Sequence, residues 1–108
     1  MAQDFENSIA RSTGTSGADI RVANSDDAIV GLRLANIHTA AITVDCFIER
    51  SSANYFLVKG ATIPAGSSLE LIDGGSKIVL VNGDTLKVDC DTDNALDVWC
   101  SVVDTISE

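Results

Sequence analysis

Basic residues are what this chain most lacks: seven Lys and Arg stand against sixteen Asp and Glu in 108 residues, a formal charge of −9 at pH 7. Nucleic acid and anionic membranes are bound through clustered cations that replace counterions, so neither is expected as a direct partner. Histidine occurs once, as His38, and the three cysteines, Cys46, Cys90 and Cys100, show neither C-x-x-C nor zinc-ligand spacing. No metal framework is read from them, and three reduced thiols are expected. No apolar run approaches the ~20 residues that a membrane-spanning helix needs. Residues 1–7 carry acids with no basic flank or apolar core, so no secretory leader is read there and synthesis in the cytosol is the default. Composition still supports a core: 45% of residues are apolar, enough for a single folded domain of this length.

What the chain does have is alternation. From Asp84 to Val103 the apolar residues fall at every second position on both sides of a polar turn. Leu86, Val88 and Cys90 share one face, and Leu96, Val98, Cys100 and Val102 share another, the period of a half-buried strand. The pattern predicts a β-hairpin pairing Leu86 with Cys100, Val88 with Val98 and Cys90 with Leu96 around the turn Asp91–Asn94. That register sets Lys87 opposite Trp99 and Asp89 opposite Asp97.

Earlier runs repeat the pattern. Strands are predicted at 19–23, 28–35, 41–50, 54–59, 69–72 and 77–81, separated by turn residues. Val30, Leu32 and Leu34 are expected to face inward, as are Ile42, Val44, Cys46 and Ile48. Tyr55 to Val58 is apolar on both faces, as in a strand covered on both sides. Pro64, the one proline, marks a connection between sheets. Asn82-Gly83 is the preferred pair for a two-residue type I′ hairpin, which would set Val79 inward and Ile78 and Leu80 outward. Residues 1–17 read as an extended arm, with Phe5 and Ile9 its only anchors, and residues 18–108 as the folded domain. About eight short strands without a convincing helix predict an all-β antiparallel β-sandwich, Ig-like or jelly-roll.

No nucleophile or acid–base pair stands out, so no enzyme is expected and no cofactor is implied. Asp89, Asp91, Asp93 and Asp97 partly match the alternating ligands of a calcium loop, without its glycine, its closing glutamate or its helices, and a solvated acidic turn is preferred. Gly14-Thr15-Ser16-Gly17 lacks the lysine of a phosphate-binding loop. Phe5 and Ile9 of the arm, with Phe47, Ile78, Leu80 and Trp99 on nominally polar faces, are instead candidates for an interface, because exposed large apolar groups mark contact surfaces.

Several segments in order also resemble a family of small virion structural proteins of tailed bacteriophages, especially those of marine bacteria and cyanobacteria. They are Gly14-Thr15-Ser16, Val30-Gly31-Leu32-Arg33-Leu34-Ala35-Asn36, Thr43-Val44-Asp45, Tyr55-Phe56-Leu57-Val58-Lys59, Ile63-Pro64-Ala65-Gly66 and Lys77-Ile78-Val79-Leu80 with Gly83-Asp84. The resemblance implies a non-enzymatic subunit made in the host cytoplasm and present in many copies on the virion, on the capsid surface or at the neck or tail. Its partners would be copies of itself and other virion proteins. The competing expectation is a small binding module whose loops around His38, Tyr55 and 91–97 hold a carbohydrate or calcium.

Overall fold

The structure, a computed structural model, describes residues 4–72 and 77–104. Within them lie nine strands: β1 (Asp4–Thr13), β2 (Ala18–Val22), β3 (Asp27–Asn36), β4 (Ile42–Arg50), β5 (Ala53–Ile63), β6 (Ser68–Ile72), β7 (Ile78–Leu80), β8 (Thr85–Cys90) and β9 (Leu96–Asp104). One sheet runs β1-β9-β3-β6 with β7 also on β3, and the second runs β2-β8-β4-β5. The expected all-β antiparallel sandwich is the observed fold.

Pairing is nested. β1 pairs with β9, β2 with β8, β3 with β6 and β4 with β5, all antiparallel, so the chain closes from its middle outward. This is jelly-roll winding, in which neighbours in sequence mostly cross to the opposite sheet. The core between the sheets holds Ile29, Leu34, Val44, Leu86, Leu96 and Val102 at 0% exposure. Full burial of each such side chain contributes about 1.5–3 kcal/mol.

Nesting overturns the 84–103 hairpin. β8 pairs with β4, setting Val88 against Cys46 and Asp89 against Asp45, whereas β9 pairs with β3 and β1. The two strands face each other across the core. Alternation specified the inward face of each strand correctly, but an arch between sheets and a hairpin within one sheet impose the same alternation.

The Asn82-Gly83 expectation fails likewise, since β7 pairs with β3 and not with β8. Gly83 has φ +97° while Asn82 is not left-handed, and the Asp84 N–H donates to the Val81 carbonyl at 3.0 Å. This is the signature of a type II turn, which crosses between sheets. Leu80 therefore points inward at 0% exposure, Ile78 packs half-buried against the core, and Val79 is exposed, the reverse of the expected faces. The true two-residue hairpin turn is Ser51-Ser52 between β4 and β5, with φ +52° and +66°. Positive φ at both positions is what type I′ demands. In β3 a register shift between Ile29 and Gly31 leaves Val30 half-buried and puts Ile29 in the core in its stead.

Polar groups fasten the corners. Asp84, almost fully buried, takes Arg50 Nε and Nη2 at 2.7 Å each and the Val81 N–H at 3.0 Å. The Arg50 bond, offset partly by burial, holds the Asp84 carboxyl below its ordinary range. Arg21 on β2 bonds Glu6 of β1, Asp27 of β3 and Asp104 of β9, tying the edge strand to the sandwich.

Candidate functional site

The registers of β1, β9, β3 and β6 arrange the outer face of the first sheet in cross-strand rows. Asn7, Ser101 and Gly31 form one row, and Ile9, Trp99, Arg33 and Glu70 form the next. Asp97 and Ala35 begin a third. Rows along a strand are two residues apart, about 6.6–6.8 Å. A ridge of large side chains thus stands between rows of small ones. Trp99 is 53% and Ile9 58% exposed, and Arg33 bonds Glu70 at 3.0 Å along the same ridge. An open depression of about 740 Å³ runs along the ridge, walled by Trp99 and Arg33 and floored by Gly31 and Ser101 on one flank and by Ala35 and Asp97 on the other.

The opposite outer face differs in character. Phe47 and Phe56 pack with ring centroids 5.0 Å apart, and Lys59 Nζ sits 4.6 Å from the Phe56 centroid. Lys87, expected beside Trp99, lies here between Asp19 and Glu49 at 3.5 and 3.0 Å. Asp45 and Asp89 also face each other here; burial first, then the Asp45 charge, raises the Asp89 carboxyl above its ordinary value.

The structure brings together only part of the predicted interface set. Ile9 and Trp99 are directly paired, and Phe5, 85% exposed, lies four residues earlier on the same strand, beyond the Asn7 row. Phe47 belongs to the other sheet, while Leu80 is a core residue and Ile78 packs half-buried against the core. Gly31, Arg33, Glu70 and Ser101 were missed. Their outward positions were legible from alternation, but their adjacency needed the strand order.

The four aspartates of the suggested calcium loop do not converge. Asp89 lies in β8 and Asp97 in β9, on different sheets. Asp91 Oδ1 accepts from the Thr43 N–H at 3.1 Å, and Asp93 Oδ1 accepts from the Thr15 N–H and hydroxyl at 3.0 and 2.9 Å. These bonds lower both carboxyls. No group of three or more His, Cys, Asp or Glu able to hold a metal ion occurs among the described residues. The Gly14–Gly17 turn thus serves as the clasp of Asp93, and a Cβ on Gly14 would sit 2.7 Å from the Asp93 Cα.

His38 and Tyr55 are also apart. His38 lies close enough to Asp91 to act on its carboxylate, and Asp91 meets β4 at Thr43, whereas Tyr55 pairs with Ile48 five residues along, roughly 17 Å away at strand rise. Cys46, Cys90 and Cys100 are buried and unpaired. Burial, with Cys100 adding to it, pushes the Cys46 thiol up to about 12, and burial pushes Cys100 up to about 11. Such thiols are poor nucleophiles.

These features define a jelly-roll sandwich with Ile9 and Trp99, both more than half exposed, paired on the outer face of the β1-β9-β3-β6 sheet, while Val22 and Tyr55 are exposed on the strands of the other sheet. No family model and no curated protein matches the chain. Among solved structures it is similar to a chain of Bacillus endospore appendages, which form disulfide-linked pili. The two share 16% identity over 94% of this chain and 84% of that one, with a TM-score of 0.53, a likeness of fold.

Proposed function

We propose that this chain is a non-enzymatic structural subunit that works in many copies. The observation that carries the reading is the exposed row of Ile9 and Trp99, with exposed Phe5 two rows away on the same strand, on a sandwich whose core is complete without them. Burying such groups against a neighbour is the main driving force for association. The shared fold with a pilus-forming chain supports assembly as the use of this scaffold. Covalent linkage of that kind is not carried over, because all three cysteines of this chain lie in its core.

The finer reading is a virion protein of a tailed bacteriophage, made in the host cytoplasm and assembled on the capsid, neck or tail. It rests on the ordered segments that resemble that family, and the reduced, buried thiols suit synthesis in the cytosol. Light scattering of the purified chain across concentration, with calcium or chelator, tests the assembly reading. A discrete oligomer indifferent to chelator is expected. A persistent monomer stabilised by calcium or an oligosaccharide would overturn it in favour of the binding module. Mass spectrometry of purified phage particles tests the finer reading, which requires many copies per particle and fails if the chain stays in the lysate.

A further inference from the structure

We infer that the outer face of the β1-β9-β3-β6 sheet is a self-complementary contact, in which the Trp99 ridge of one copy seats in the Gly31–Ser101 depression of a second copy. The inference rests on the assembly reading and adds to it the surface and the occupant.

Shape is the first argument. Ile9, Trp99 and Arg33 form a ridge, and Asn7, Ser101 and Gly31 form the adjacent low row. A two-fold axis lying between these rows and parallel to them sets each ridge over the partner's low row. Trp99 then lies over Ser101, and Arg33 over Gly31. One patch meets itself, as an isologous contact requires.

Charge is the second argument. Two copies each carrying −9 repel wherever their acidic surfaces meet. The ridge and depression are neutral: Arg11 and Arg33 are matched by Glu70 and Asp97. The opposite outer face sets Asp19, Asp45, Glu49 and Asp89 against only Lys59 and Lys87 and retains a negative excess. A second copy is therefore admitted on the Trp99 face and disfavoured on the other.

The chain supplies its own reporter, because Trp99 is its single tryptophan. Gly31 supplies a clean perturbation. A Cβ there meets only Ser101 at 3.7 and 3.8 Å and the Ile72 carbonyl at 4.0 Å, ordinary contacts, so Gly31→Arg fills the depression without strain. The experiment follows solution mass and tryptophan emission together across concentration for the wild-type chain, Gly31→Arg and the control Tyr55→Ser, with circular dichroism checking that each folds. The expected result is a blue shift of emission over the range in which mass rises. Gly31→Arg should weaken the association by at least about tenfold, and Tyr55→Ser should leave it unchanged. If wild-type mass rises while emission stays put, or if folded Gly31→Arg associates normally, this contact is wrong and the assembly reading survives. A monomer at every concentration overturns both. A shift produced only by added oligosaccharide, at constant mass, would give the groove to a sugar.

Discussion

At the scale of single residues, the carboxylates have separate duties although they crowd one stretch of sequence. Asp91 and Asp93 each cap backbone N–H groups, and Asp84 holds a turn and an arginine. Asp89 is the costly one, being directly opposite Asp45. Its folded-state pKa is raised, first by burial and then by Asp45, above an ordinary value of 3.8. The folded chain therefore holds that proton more tightly than the unfolded chain, and stability at this site falls as pH rises from 3.8 through the raised value. The penalty is therefore larger at pH 7 than in acid. The Asp89→Asn variant should gain about 0.5 kcal/mol there, a Tm rise of about 2–4 °C, and should lose that gain in acid below the ordinary value. Thermal melts at pH 7 and pH 3 check it; an equal shift at both would remove the like-charge explanation.

At the scale of elements, the turns decide more than the strands do. The pair best suited to a type I′ turn, Asn82-Gly83, is spent on a crossover that clips β7, β8 and the end of β2 through Ala23. The type I′ turn itself is made by Ser51-Ser52, both held at positive φ. Left-handed backbone costs a non-glycine L-residue about 1 kcal/mol. Replacing the pair with Asn-Gly should relieve that strain and raise stability by about 1 kcal/mol, read as the denaturant midpoint at unchanged slope. A midpoint that falls instead would mean the serine side chains hold the turn.

At the scale of the molecule, nesting makes almost every pairing distant in sequence. β1 and β9 are the first and last strands described, yet they lie side by side and carry Ile9 and Trp99 together. Loop-closure entropy has to be met before such contacts are rewarded, so refolding should take milliseconds to seconds, as for other all-β domains. Stopped-flow refolding monitored by Trp99 should place its signal in that range. A microsecond phase accounting for the whole amplitude would contradict the nested order as the rate-setting feature.

The sequence alone determined that the protein is an antiparallel sandwich and which side of most strands is buried, because alternation is a local property of the pleat. Ile42, Val44 and Cys46 needed nothing else. It also singled out Ile9, as an arm anchor, and Trp99, as an outer-face aromatic, as candidates for an interface. Which strand lies beside which is set by the three-dimensional winding and not by any local pattern. The alternation of Leu86 to Cys90 and Leu96 to Val102 satisfies a hairpin and a cross-core arch equally, and burial energy alone does not choose between them. Leu80 was misjudged for the same reason, since its face depends on whether β7 pairs with β3 or β8. The ridge of Ile9, Trp99 and Arg33 joins residues from three strands that are remote in sequence, so it came into being only when the winding closed.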